Sequence, residues 1–142
     1  MFLKSVYTGI KKGIKTTWTL GKVVVPVYIV VTFLKHTPVI DWIANLFAPV
    51  MGIFNLPGEA VIALVIGNLL NMYAGVGALK AISLTPIQVT TLAVMLGFSH
   101  SLLVETAIAK KLGANVFTIV GVRITLGIVS GIIVGQVGGL LC

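Results

Sequence analysis

Charged residues divide the chain into long apolar stretches. Residues 42–58, 60–79, 81–104 and 124–142 contain no Asp, Glu, Lys or Arg. A helix needs roughly 20 apolar residues to cross the hydrocarbon core of a bilayer, because it rises about 1.5 Å per residue. The pattern therefore predicts an all-α integral membrane protein with about three or four transmembrane helices.

The N-terminal segment has a helical pattern of its own. Apolar side chains recur at three- and four-residue steps, at Leu3, Val6, Ile10, Ile14 and Trp18. Lysines lie between them, at Lys4, Lys11, Lys12 and Lys15. Helical geometry places these two sets on opposite faces, which is typical of a helix that lies among anionic lipid headgroups. We therefore predict an interfacial amphipathic helix over residues 1–22, in contact with membrane lipid, and a membrane domain over residues 23–142.

The apolar stretches differ in how well they suit a crossing. Residues 16–34 are expected to form the first crossing, residues 60–79 a second and residues 115–141 the last. Residues 42–56 contain Pro49, Gly52 and Asn55, which makes this stretch short and irregular for a crossing. An interfacial position is expected for it.

Residues 86–112 fit either one tilted helix or two half-helices that meet at "GFSHS", residues 97–101. Cytoplasmic loops carry an excess of Lys and Arg, so charge can decide between the two. With the basic N-terminus inside and residues 42–56 interfacial, Lys80 is inside, and a hairpin keeps Lys110 inside as well. The charge pattern therefore predicts a re-entrant helical hairpin at about 86–112, with Lys80 and Lys110 on the same side.

Composition agrees with a membrane location and excludes several functions. The chain has 58% hydrophobic and only 9% charged residues, and a mean hydropathy of +1.14. Its net charge of +7 is concentrated at the start instead of forming a soluble basic patch, so nucleic acid is not an expected partner. Cys142 is the single cysteine, which excludes a disulfide framework and a cysteine metal site. With no phosphate loop or His-x-x-x-His motif, we expect neither an enzyme nor a cofactor.

Polar residues inside the apolar stretches are the candidate site. Asn68 and Asn71 share a helical face, where they either hydrogen-bond between helices or contact a substrate. The other candidates lie close together, at Ser99, His100, Ser101 and Glu105. Ionisable groups at membrane depth are costly, so a functional role is the default hypothesis for them.

Two features of the last apolar stretch concern packing. Arg123 requires an anionic or carbonyl partner, for which Glu105, Glu59 and Asp41 are the acidic candidates, and a structural ion pair is expected. Glycines recur every four residues, at Gly127, Gly131, Gly135 and Gly139. Such a ladder permits close backbone approach, either within one subunit or between subunits.

A family resemblance is carried by "LPGEAVIALVIGNLLNMYAG" and the later "TTLAVMLGFSHSLLVETAIAKKLG". Together they resemble the nucleoside recognition, or Gate, domain of concentrative nucleoside transporters, the membrane part of ferrous-iron transporter B, and spore maturation proteins A and B. The resemblance covers roughly residues 49–135. It implies a re-entrant hairpin whose polar tip, Ser99 to Ser101, touches a nucleobase, with Glu105 behind it. His100 departs from the usual glutamine- or acid-rich tip.

The resemblance implies a half-size membrane transport protein, because the transporters carry two inverted copies of the repeat. Such a chain would form a homodimer that binds a nucleoside-like or other small polar solute. The substrate-binding residues would be Ser99, His100, Ser101, Glu105, Asn68 and Asn71. Coupling to H+ or Na+ would use Glu105 or Glu59, with no bound metal cofactor. The alternative is a non-transporting membrane scaffold or regulatory subunit.

Overall fold

The computed structural model describes residues 2–141, with side chains described from Lys4 to Leu140, so Cys142 and the Leu3 side chain lie outside it. Over these residues the chain forms helices and no strand. The seven helices are α1 (Phe2–Lys35), α2 (Pro38–Gly52), α3 (Ala60–Leu69), α4 (Met72–Ala81), α5 (Pro86–Ser99), α6 (Leu102–Lys111) and α7 (Val116–Leu141). Three segments are long and apolar enough to cross a membrane: Lys4–Lys35, Pro86–Lys111 and Val116–Leu140. The predicted all-α membrane architecture is confirmed.

Helix α1 joins the predicted interfacial helix and the first crossing in one element of 34 residues. No break occurs at residue 22, where the boundary was expected. The part from Lys15 to Lys35 is about 30 Å long, which equals the thickness of the hydrocarbon core. Lys22 lies within this part, and its Nζ is 5.8 Å from the centre of the Trp18 ring. The Trp18 ring thus stabilises the Lys22 ammonium through a cation–π contact.

Residues 60–79 do not form the single crossing that was predicted. They divide into α3 and α4, each ten residues long, and the chain reverses at Leu70 and Asn71. The backbones of the two helices are in close contact at Gly67 and Gly75. A Cβ added to Gly75 would lie only 2.9 Å from the Cα of Gly67. The Asn71 side chain caps α4 by accepting a hydrogen bond from the Ala74 amide at 2.9 Å. Each helix is about 15 Å long, half the hydrocarbon thickness. This pair is the α3–α4 hairpin.

Residues 86–112, where the hairpin was expected, are arranged differently. Helices α5 and α6 are separated at His100 and Ser101, the second of which has a left-handed backbone with φ of 53°. Both helices nevertheless pack along α7 in one direction. A Cβ on Gly138 would overlap Ile87 near the start of α5, whereas Arg123 pairs with Glu105 in α6. Helices α5 and α6 therefore form one broken segment that is long and apolar enough to cross a membrane, and we call His100 and Ser101 the helix break.

The order of contacts fixes the direction of each helix. Helix α4 runs parallel to α1, since Gly77 lies against Val24 and the Lys35 ammonium donates to Ser83 Oγ at 3.1 Å. Helix α3 is antiparallel to α4 and parallel to α5, since Gly67 lies against Leu96 while the chain just before α3 contacts the start of α5. One end of the molecule therefore contains Lys35, and the other contains the start of α1 and the end of α6.

This topology separates two lysines that were predicted to lie on the same side. Lys80 ends α4 close to Lys35, whereas Lys110 ends α6 at the opposite end of the molecule. The difference arises because residues 60–81 reverse within the molecule and residues 86–111 run along it; the side of the membrane that each lysine faces stays a prediction. The N-terminal lysines and Lys110 share one end, which agrees with the positive-inside rule, whereas Lys80 joins Lys35 at the other end.

The glycine ladder of α7 packs within the subunit. A Cβ on Gly131 would lie 2.6 Å from the Met95 side chain, and one on Gly135 would overlap the Phe54 carbonyl. Gly127 lies against Met95 and Gly139 against the Asn55 side chain. The ladder thus seats α7 on α5 and on the chain between α2 and α3. Of the two alternatives, the structure supports intrasubunit packing.

Candidate functional site

The tip of the α3–α4 hairpin meets the helix break inside the molecule. The Ser101 amide donates a hydrogen bond of 3.0 Å to the Gly67 carbonyl, which joins α3 directly to the break. Leu96 of α5 packs on Gly67, where a Cβ would come within 2.6 Å of the leucine side chain. Two interrupted elements are thus held against each other at half the depth of the bundle.

Local hydrogen bonds accompany the end of the helix at residue 99. The Ser99 hydroxyl donates to the Met95 carbonyl at 2.8 Å, and His100 Nδ1 lies 2.8 Å from the Leu96 carbonyl. Side chains that bond to the preceding turn in this way bend helices. Non-helical backbone inside a membrane needs other partners for its freed carbonyls. Those partners come from α7.

Arg123 of α7 supplies these partners. Its Nε donates to the Phe98 carbonyl at 2.7 Å and its Nη2 to the His100 carbonyl at 3.1 Å. Its Nη1 pairs with Glu105 Oε2 in the first turn of α6. The other Glu105 oxygen lies 3.4 Å from His100 Nε2. His100, Glu105 and Arg123 form what we call the ion cluster, and it joins both sides of the helix break to α7.

A cavity of about 310 Å³ lies beside the ion cluster. Its walls come from α3, from α5 and α6, and from α7, and they are mostly apolar. The polar side chains in the wall are Asn68 and Ser99. Exposed residues, including Val65, Ile124 and Ile128, form part of its rim. The cavity is therefore open towards the surface of the subunit.

Asn68 brings an unpaired acceptor to this cavity wall. Its Nδ2 donates to the Leu64 carbonyl at 2.8 Å. Its Oδ1 is buried and has no hydrogen-bond partner among the described residues. Leaving a buried acceptor unpaired costs about 1–3 kcal/mol. Asn68 lines the cavity, so a rotation of its side chain would present this oxygen to a donor there.

The structure divides the predicted site residues into groups. Asn68 and Ser99 line the cavity, whereas His100 and Glu105 belong to the ion cluster. Ser101 contributes its backbone amide to the contact with α3. The remaining candidates lie elsewhere: Asn71 caps α4, and Glu59 precedes α3 at the end opposite the hairpin tip.

Sequence reasoning found the partner of Arg123 but not its part in the site. The expected ion pair is confirmed, with Glu105 as the acid. A lone arginine in an apolar segment was the available signal for a contact with the helix break. The close pair Gly67 and Gly75 was also missed, although two glycines on either side of an asparagine are typical of a tight reversal. In the part of the chain that is described, no three His, Cys, Asp or Glu residues are grouped for metal binding.

Comparisons with known proteins agree with the membrane architecture. The uncharacterised membrane protein YvoD of Bacillus subtilis (strain 168) is 47% identical over 136 residues, which are 95% of this chain and 44% of that protein. The chain thus spans less than half the length of this relative. No solved structure matches the chain significantly. The family described as Gate, nucleoside recognition, matches residues 17–115. This match covers more than half of the chain, so the protein belongs to the nucleoside recognition (Gate) family.

Proposed function

We propose that this chain is one half of a membrane transport protein that binds a small polar solute in the cavity between the α3–α4 hairpin and the helix break. The observation that carries the proposal is the buried, unpaired Oδ1 of Asn68, a residue that lines the cavity. The architecture supports it, because transporters bind substrates near the bilayer midplane where discontinuous helices meet. In this proposal the α3–α4 hairpin is re-entrant, with its tip at half the membrane depth.

The cavity favours a solute that donates hydrogen bonds. Asn68 Oδ1 can only accept, and it needs an N–H or O–H group. The Ser99 hydroxyl hydrogen is directed to Met95, so its lone pairs are also acceptors for a solute. Apolar walls around these two acceptors suit the face of a flat ring. A nucleoside-like molecule with ring and donor groups matches this chemistry and a volume of about 310 Å³.

A homodimer completes the site in this proposal. The rim formed by Val65, Ile124 and Ile128 is exposed in one subunit. A second copy against that rim would close the cavity and replace lipid. Membrane transporters commonly place their substrate between two repeats that move against each other. The relative YvoD is more than twice as long as this chain, which leaves room for a second repeat in that protein.

Replacement of Asn68 by leucine tests the proposal. The change removes the unpaired acceptor at similar side-chain size but also the Nδ2 hydrogen bond to Leu64, so the solute-free protein should gain up to about 2 kcal/mol of stability. Solute affinity should fall at least tenfold, because the solute loses its acceptor. The measurement is thermal unfolding of purified protein against a panel of nucleosides, nucleobases and other small polar solutes, since a bound ligand raises native stability.

Thr32→Val is the matched control. Thr32 Oγ1 is the other buried oxygen without a partner among the described residues, and it lies in α1, away from the cavity. This variant should also gain stability but should bind the solute as the parent does. If no solute stabilises the parent and Asn68→Leu dissociates a dimer instead, Asn68 is paired across a subunit interface. The scaffold alternative would then replace the transport proposal.

A further inference from the structure

The end of α5 has the form of a cation site, and a side chain fills it. In transporters with broken helices, unwound carbonyls and half-helix C-termini coordinate the coupling ion. Here the corresponding oxygens are the Phe98 and His100 carbonyls and the Glu105 carboxylate. All three groups contact the Arg123 guanidinium.

Arg123 matches this position in charge and in geometry. Its guanidinium has one positive charge and five N–H donors in a fixed plane, and it remains charged in proteins. Carbonyls at the end of α5 carry partial negative charge, and Glu105 adds a full one. The Arg123 side chain is only 18% exposed. A single partly buried cation thus neutralises groups from both sides of the helix break.

His100 engages the remaining oxygens around the break. The Leu96 carbonyl accepts from the His100 amide at 2.9 Å and lies 2.8 Å from His100 Nδ1. The Glu105 oxygen that is not paired with Arg123 faces His100 Nε2 at 3.4 Å. A bare cation needs several oxygen ligands at once. The Leu96, Phe98 and His100 carbonyls and both Glu105 oxygens already have nitrogen neighbours.

We propose that Arg123 is a tethered cation that occupies the coupling-ion position at the helix break, so that the protein binds its solute without Na+. Removal of the guanidinium would expose the Phe98 and His100 carbonyls and the Glu105 carboxylate as a monovalent-cation site. The solute-binding part of this inference rests on the proposed function. The part that places Arg123 in the cation position does not rest on the proposed function.

Two substitutions at Arg123 test whether its guanidinium fills the cation position. Neither test requires a solute. Arg123→Lys keeps a tethered positive charge, whereas Arg123→Gln removes the charge and leaves a shorter polar side chain. Thermal unfolding of the purified protein is measured in NaCl and in choline chloride at constant ionic strength. The parent and the lysine variant should unfold at the same temperature in both salts. The glutamine variant should gain about 3 to 6 °C for each tenfold increase in Na+ above its dissociation constant.

A second variant identifies the ligands of the new ion. Glu105→Gln in the Arg123→Gln background removes the carboxylate, and the response to Na+ should be lost. Specific stabilisation of the parent by Na+ would overturn the inference, as would a folded Arg123→Gln variant that does not respond to Na+. If Arg123→Gln does not fold, the unfolding temperatures of the parent and of Arg123→Lys in NaCl and in choline chloride still test the inference. A higher unfolding temperature of either protein in NaCl would overturn it.

Solute binding separates this inference from the proposed function. The affinity of the parent for the solute found in the thermal panel should agree within twofold in NaCl and in choline chloride. Binding that requires Na+ would overturn the role of Arg123 and leave the proposed function intact. Failure of every solute to bind would overturn the proposed function, while the salt response of Arg123→Gln would still support the occupied cation position.

Discussion

Gly135→Ala is a direct test of how α7 is seated on the rest of the subunit. A Cβ at Gly135 would overlap the carbonyl of Phe54, which is backbone and therefore cannot rotate away. Gly121 lies in the same helix, and a Cβ there meets nothing within 4 Å. The same substitution at the two positions differs only in what the new methyl group contacts.

The expected difference follows from two opposing terms. Alanine favours a helix over glycine by about 1 kcal/mol, and this gain is common to both variants. Forcing extra volume into a packed site costs about 1–3 kcal/mol, and this loss applies to Gly135→Ala alone. We therefore expect Gly121→Ala to be as stable as the parent or more so, and Gly135→Ala to be about 1–3 kcal/mol less stable than Gly121→Ala.

Thermal unfolding in detergent, followed by tryptophan fluorescence, measures this difference. Light scattering after size-exclusion chromatography gives the oligomeric state of each variant. Equal stability of the two variants would refute the seating of Gly135 on Phe54. A Gly135→Ala variant that loses only its dimer, at unchanged subunit stability, would instead place the ladder between subunits.

Two further predictions concern the α3–α4 hairpin. Single cysteines at Lys80 and Lys110, in a Cys142→Ala background, should react with an impermeant thiol reagent from opposite sides of the membrane; reaction from one side would restore the hairpin at residues 86–112. Asn71→Ala removes the cap of α4 and should cost about 0.5–2 kcal/mol of stability, whereas Asn71→Asp should retain most of it. Equal unfolding temperatures for Asn71→Ala and Asn71→Asp would show that the cap is not needed.

The helical membrane fold could be predicted from the sequence, but the place of the reversal could not. Hydropathy depends on residue type alone, and residues 60–79 are as apolar as a crossing. What reverses the chain there is local: Asn71 caps a new helix, and Gly67 and Gly75 allow two backbones to touch. Residues 86–111 show the opposite case, since a polar interruption that is typical of a hairpin tip is compatible with one broken crossing.

The candidate site was predicted as a set of residues but not as an arrangement. Charge and polarity in an apolar segment identified Asn68, His100 and Glu105, because such residues are costly in a membrane. Their division between a cavity and an ion cluster depends on Arg123, which is 18 residues away from Glu105 in the chain. Only the antiparallel packing of α7 against α5 and α6 brings them together. Contacts of this kind depend on tertiary structure and leave no periodic pattern.

The short length of α3 and α4 also determines the order in which the membrane protein can be assembled. Neither helix is long enough to be retained in a bilayer as a span, so each needs protein neighbours to cover its polar backbone at the tip. Helix α4 packs on α1, which precedes it, but the Gly67 carbonyl at the tip is covered by Ser101, which is synthesised later. The hairpin therefore leaves the ribosome before the partner of its tip exists. We therefore expect the tip to dock on the helix break only after α5 and α6 have entered the membrane.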